Sequence, residues 1–258
     1  MSHTPAYRRI LHRMGYYNYQ QGLIYRHLNQ EGGWSSHLKK CREFILKAVE
    51  ACNPEVLTIM GTGWLLDVPL KEVAEKVRSI ILVDILHPPE VREQVSPLKN
   101  VRLVEEDVTG GLILSVWQKT GRHLFSKRSG STCDIEINEF HPQFDPGMII
   151  SLNIMTQLES LPAEYLKKKW KPREDELLRF RKEIQHKHVS LLKKHTSVLI
   201  TDLSEIVTET SGKTYEVPSV LTDLPDAKMR EEWTWDFDLH RSDYYNKRSV
   251  FRMAALLI

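Results

Sequence analysis

Apolar positions along this chain follow two rhythms that take turns. Compact apolar runs at Val56–Met60, Ser79–Asp84, Val101–Asp107, Phe144–Asn153 and Ser197–Asp202 read as strands buried on both faces. Between them the apolar residues recur at helical spacing. Leu38, Cys41, Ile45, Ala48, Val49 and Cys52 form one stripe, and Leu70, Val73, Ala74 and Val77 a second. Leu177, Phe180, Ile184, His188 and Leu191 form a third, in a helix over 174–194. Shorter helices are predicted at 90–95 and from 112 through Trp117. Ser35 or Ser36 is the expected cap of the first long helix. Asp67 or Val68 is the expected cap of the second, with Pro69 in its opening turn. Pro162 marks a break, Ile135 and Ile137 a brief edge strand, and 211–212 and 218–226 loops. A polar, basic segment from Gly121 to Thr132, with Lys127, Arg128 and Ser129, reads as an exposed insertion.

Strands alternating with helices through residue 202 imply an α/β fold with a parallel sheet and helices on both faces. The ending differs. Trp233–Phe237 and Arg248–Ile258 are two strand signals with no helix-length segment between them, which suits an antiparallel pair at the sheet margin. Residues 1–35 stand apart as a helical N-terminal arm or lid, rich in Tyr, Arg and His, ahead of a sheet domain over 36–258.

Bulk properties add little to this picture. The 258 residues suffice for one large domain with an appendage, and a net charge of +2 gives no whole-chain reason to expect nucleic acid or a membrane surface. Three cysteines without metal-ligand spacing suit a reducing compartment. With no signal-peptide pattern and no apolar run of the ~20 residues a span needs, a cytoplasmic location is expected.

The candidate chemistry gathers at strand ends. Gly61-Thr62-Gly63 directly follows the first strand, where glycine lets the chain turn tightly and approach a ligand. Asp84 ends the second strand about twenty residues later, as expected of a carboxylate that binds ribose hydroxyls. Asp107, Asn153 and Asp202 end the third, fourth and fifth. In open parallel sheets ligands sit beyond these ends.

In this order and spacing the chain resembles the class I S-adenosylmethionine-dependent methyltransferases, over most of 36–258. The resemblance implies a Rossmann-like, doubly wound, mostly parallel seven-stranded sheet with an antiparallel final strand, and S-adenosylmethionine as cofactor. It implies that Gly61, Thr62 and Gly63 pass under the methionine part. Asp84, with Ile85, would hold the ribose, and Asp107, with Val108, would meet the adenine. Asn153 would lie beside the methyl group and position the acceptor as the catalytic residue. Two departures stand out: Ile59 occupies the position of a usual acid, and Trp64 and Leu65 stand where a third glycine is usual. Trp64 is expected beside the pocket.

The same residues admit other readings. An NAD(P)-binding oxidoreductase shares the strand, glycine turn and ribose acid, but wants a glycine at Leu66 and a pyrophosphate where Asp67 would oppose it. A non-catalytic interaction domain would have Trp64 filling the pocket. His186 and His188 point to different sides of a helix, so no metal is expected. The implied methyl acceptor is a small molecule in preference to a macromolecule, with nucleic acid left open and no membrane insertion. Tyr16, Tyr17 or Tyr19 would close over it.

Overall fold

The computed structural model describes residues 3–121, 130–240 and 246–258. Two helices open the chain, α1 (Pro5–Met14) and α2 (Tyr16–Asn29), followed by α3 (Ser35–Cys52). Then come β1 (Val56–Met60), α4 (Leu70–Lys76), β2 (Ser79–Asp84), α5 (Pro89–Val95), β3 (Val101–Glu105) and α6 (Leu112–Gly121). The second half holds β4 (Met148–Leu152), α7 (Ser160–Lys169), α8 (Glu174–Leu192), β5 (Ser197–Thr208), β6 (Thr214–Pro218), β7 (Met229–Asp238) and β8 (Arg248–Leu257). Among the described residues no helix is long and apolar enough to cross a membrane.

One sheet runs β3-β2-β1-β4-β5-β8-β7, with β6 paired to β5. The pairs from β3 through β5 are parallel, and β8 inserts antiparallel between β5 and β7. This is the doubly wound Rossmann-like sheet expected, with its antiparallel final strand. The period-two rule of strands divides its side chains between two cores. Leu57, Ile59, Ile80, Leu82, Met148, Ile150, Val198 and Ile200 face Cys41, Phe44, Ile45 and Val49 of α3, Val73 of α4 and Val91 of α5. Their neighbours Met60, Ile81, Val83, Ile149 and Leu199 face the other way, onto α1, α6, α7 and α8. Continuous apolar runs were needed because both faces are covered.

The chain moves outward from β1 in both directions, to β2 and β3 on one side and to β4 and β5 on the other. The β1–β4 boundary is therefore the topological switch point, where the carboxyl ends of strands part to leave a crevice.

Several local expectations change. The sheet has eight strands among the described residues, not seven: β5 runs on to Thr208 and β6 folds back on it through the Ser211-Gly212 turn. Trp34, not a serine, takes the N-cap position of α3, and Pro69 takes that of α4. Asp67 is thus no helix cap. Pro162 does not break the chain but sits in the first turn of α7, where a missing N–H costs nothing. Residues 135–138 form no strand. Most of the expected basic insertion, 122–129, lies outside the described residues.

Candidate functional site

The cleft at the switch point has a volume of about 180 Å³ and is lined from five directions: the glycine turn, the ends of β2 and β3, the segment after β4, the start of α3 with β7, and α2. Gly61, Thr62, Gly63, Asp84, Ile85, Asp107, Val108 and Asn153 all line it. Asp202 does not. It falls inside the extended β5 and accepts a hydrogen bond from the Thr156 hydroxyl.

The glycine turn is built for close approach. Gly61 has φ +84°, and a Cβ there would lie 2.5 Å from the Leu152 carbonyl oxygen and 2.8 Å from Ile154 Cβ. Only glycine lets the end of β1 lie this near the end of β4. Gly63, at φ +47°, faces open space, with nothing within 4 Å of a built Cβ. Leu65 keeps a left-handed backbone at φ +60°, and its N–H closes the turn onto Thr62 O at 2.8 Å. The turn therefore keeps a glycine-like conformation without the glycine. Its strain, about 1–2 kcal/mol, is offset by burial of the Leu65 side chain, which is 6% exposed.

Asp84 locks this turn to β2. Its Oδ2 accepts the Gly63 N–H and its Oδ1 the Ile85 N–H, both at 2.7 Å. Burial pushes its pKa up, and the backbone donors of Gly63, Ile85 and Leu86, with His87 nearby, pull against that. One lone-pair site of the carboxylate is left over. Asp107 accepts the Tyr7 hydroxyl at 3.0 Å on Oδ2 and the Thr109 N–H at 2.9 Å on Oδ1; burial raises its pKa too.

On the far side of the glycine turn lies a cluster with no counterpart in the sequence reading. Asn153, at φ +51°, donates from Nδ2 to Asp67 Oδ2 at 2.8 Å, beside His37 and Cys41. His37 stacks on Trp235, with ring centroids 3.8 Å apart and planes within 6°. Its Nδ1 accepts the Trp233 indole N–H at 3.1 Å. An indole nitrogen only donates, so the imidazole proton sits on Nε2. Burial pushes the His37 pKa down to about 3, so the ring is neutral. Burial also raises the Cys41 thiol and lifts Asp67 to about 6. His37, Cys41 and Asp67 offer ligand atoms within 4.8 Å of one another. Yet Nδ1 is taken by an N–H and Nε2 carries the proton, so the ring as held has no lone pair for a cation. The sequence reading expected no metal from the absence of ligand spacing and from His186 and His188, and did not foresee this cluster.

The N-terminal arm lines one side of the cleft. α1 is anchored by Leu11 and Met14, 0% and 5% exposed; each such side chain stabilises the docking by about 1.5–3 kcal/mol. α2 has no buried residue. Polar latches hold it: Gln20 Nε2 to Leu86 O at 2.8 Å, Trp64 Nε1 to Gln20 O at 2.9 Å, and Tyr19 OH to Gln157 Oε1 at 3.3 Å. Tyr16 and Tyr19 line the cleft, while Tyr17 packs against the apolar core. Trp64 lines the cavity wall without filling it, and its N–H is the latch. Sequence reasoning missed His37 and Trp34, and it read Asp67 as a helix cap and Trp235 as strand packing. For His37 there was a signal: it lies one helical turn before Cys41, on the stripe already drawn.

No protein-family model matches the chain, and a search of curated proteins finds no match. Among solved structures it is similar to the 1,6-didemethyltoxoflavin-N1-methyltransferase of Burkholderia thailandensis, crystallised with 1,6-didemethyltoxoflavin and S-adenosylhomocysteine. That likeness has 11% identity and a TM-score of 0.40, over 100% of this chain and 91% of that one. It is also similar to the N-methyltransferase NodS from Bradyrhizobium japonicum, in complex with S-adenosylhomocysteine, at 8% identity and a TM-score of 0.33, over 84% of this chain and 85% of that one. At these identities the likeness concerns the fold.

Proposed function

We propose that this chain transfers a methyl group from S-adenosylmethionine to a small-molecule acceptor, inside a cleft closed by α2. One observation carries the reading. Asp67, Asp84, Glu106 and Asp107 line the cleft, and no Lys or Arg does among the described residues. A cavity so charged favours a cationic ligand and opposes an anionic one. S-adenosylmethionine carries a sulfonium, an ammonium and one carboxylate, a net positive charge, and no phosphate. A dinucleotide would bring a pyrophosphate, which needs a helix N-terminus with free N–H groups. Here α4 begins only at Leu70, behind Pro69, and the Gly63 N–H is held by Asp84.

The cleft residues fit the cofactor. Asp84 and Asp107 each have a lone pair left, Asp84 for a ribose hydroxyl and Asp107 for an adenine amine. Thr62 Oγ1 and Asn153 Oδ1 are buried with no protein partner, polar groups that a ligand would satisfy. Bound there, the sulfonium supplies an activated methyl group. The chain's own part is to hold donor and acceptor in line and to keep water out. Asn153 offers a donor and an acceptor beside that space, so it orients an amine or hydroxyl without deprotonating it. Closure falls to Tyr16 and Tyr19 on α2, between the left-handed glycines Gly15 (φ +94°) and Gly32 (φ +85°).

Calorimetry on the purified chain tests the proposal. S-adenosylmethionine and S-adenosylhomocysteine should bind, and NADH and NADPH should not. Binding of NAD(P)H with none of S-adenosylhomocysteine would transfer the assignment to an oxidoreductase. Binding of neither would favour an interaction domain.

A further inference from the structure

Asp67 is a carboxylate at a cavity wall with no ion-pair partner among the described residues. It accepts a hydrogen bond from Asn153 Nδ2 and one from its own backbone N–H. The groups packed around it compensate its charge only in part, through the Arg42 guanidinium and its own backbone N–H, and burial still raises its pKa. From α3, His37 is neutral and Cys41 is a protonated thiol, and the Arg42 guanidinium donates to the Leu66 carbonyl. From β2, Asp84 adds negative charge. The neighbouring side-chain oxygens Asn153 Oδ1 and Thr62 Oγ1 have no partner. A buried carboxylate beside unpartnered side-chain oxygens suits a cation that also donates several hydrogen bonds. A primary ammonium, with three N–H donors, has that chemistry.

Position identifies which ammonium. Asp84 and Asp67 lie on opposite sides of the glycine turn, Asp84 at the end of β2 and Asp67 against Asn153 at the end of β4. A ligand whose ribose meets Asp84 and whose chain crosses Gly61–Gly63 ends at Asp67. We propose that Asp67 receives the ammonium of the cofactor's amino-acid moiety. This rests on the methyltransferase reading.

The test compares S-adenosylhomocysteine with 5′-methylthioadenosine, which keeps the nucleoside and thioether but lacks the amino acid. Affinities are measured by calorimetry on the full chain and on Asp67→Asn, with a thermal melt to verify that the variant folds. Asp67→Asn should weaken S-adenosylhomocysteine by about tenfold or more, the scale of a charged hydrogen bond, and leave 5′-methylthioadenosine within about twofold. In the unaltered chain, affinity for S-adenosylhomocysteine relative to 5′-methylthioadenosine should climb as the pH rises from about 5 to 7, through the Asp67 pKa of about 6. The ratio removes contributions from Asp84, Glu106 and Asp107, which both ligands share. Equal weakening of both ligands, no weakening of either, or a ratio flat with pH would each overturn the role of Asp67. If the unaltered chain bound neither ligand, the methyltransferase reading itself would fall.

Discussion

Gly61 and Gly63 are two residues apart, and the same substitution should do different things to each. At Gly61 an alanine methyl meets backbone: the Leu152 carbonyl at 2.5 Å and Ile154 Cβ at 2.8 Å, with φ at +84°. Neither neighbour is the loose end of a side chain, so the β1–β4 junction must spread. The left-handed conformation costs an L-residue about 1–2 kcal/mol, and shifting close-packed backbone adds about 1–3 kcal/mol. Gly61→Ala should therefore lose about 2–5 kcal/mol. At Gly63 the methyl enters empty cleft, and only the conformational part remains, about 1–2 kcal/mol. Urea unfolding of both variants, with S-adenosylhomocysteine calorimetry alongside, separates the cases. Gly61→Ala should shift the midpoint strongly. Gly63→Ala should shift it little and still lose most of its binding, because its methyl occupies ligand space. If Gly61→Ala unfolded within 0.5 kcal/mol of the parent, the close contact at the switch point would be refuted. If Gly63→Ala bound normally, the ligand would not cross this turn.

Other expectations follow from single contacts. Trp64→Phe removes the indole latch to Gln20 at a cost of about 1 kcal/mol, and amide exchange in α2 should speed up while exchange in α1, anchored by Leu11 and Met14, stays slow. Uniform change across both helices would contradict a lid held by latches. In the ligand-free chain Asp67 has its pKa raised in the folded state, so its ionisation costs stability. That cost is absent below the unfolded value near 4, grows as the pH rises towards 6, and is complete above about 7. The urea midpoint of Asp67→Asn should therefore gain on that of the parent over this window; a constant difference would count against the burial of its charge.

The fold was legible because both faces of the sheet are covered. Full burial forces continuous apolar strands, and those runs stand out between helical stripes. Asp84 and the glycine turn were legible for a related reason: residues that lie close in sequence build the turn, and the acid ends the next strand. Trp64 could be placed beside the cavity, but its N–H meets Gln20, 44 residues away, a pairing that no local pattern encodes. The cluster of His37, Asp67, Asn153 and Trp233 draws on α3, the turn after β1, the end of β4 and β7, so it exists only once the sheet has assembled. Asp67 read naturally as a helix cap because Asp favours that position. Tertiary contact with Asn153 and an N-cap at Pro69 overrode the local preference. Asp202 misled for the opposite reason: an acid after an apolar run looked like a strand end, but β5 continues on a half-polar edge where β6 pairs with it.

The most direct measurement is the affinity of S-adenosylhomocysteine for the parent chain and for Asp84→Ala. Asp84 joins the glycine turn to β2 and faces the cleft, so its carboxylate is the group on which ribose binding should depend. Losing a charged acceptor should weaken binding by about 1.5–3 kcal/mol, roughly tenfold to more than a hundredfold, in a variant that still melts cooperatively. A folded Asp84→Ala chain that bound S-adenosylhomocysteine as tightly as the parent would contradict the account.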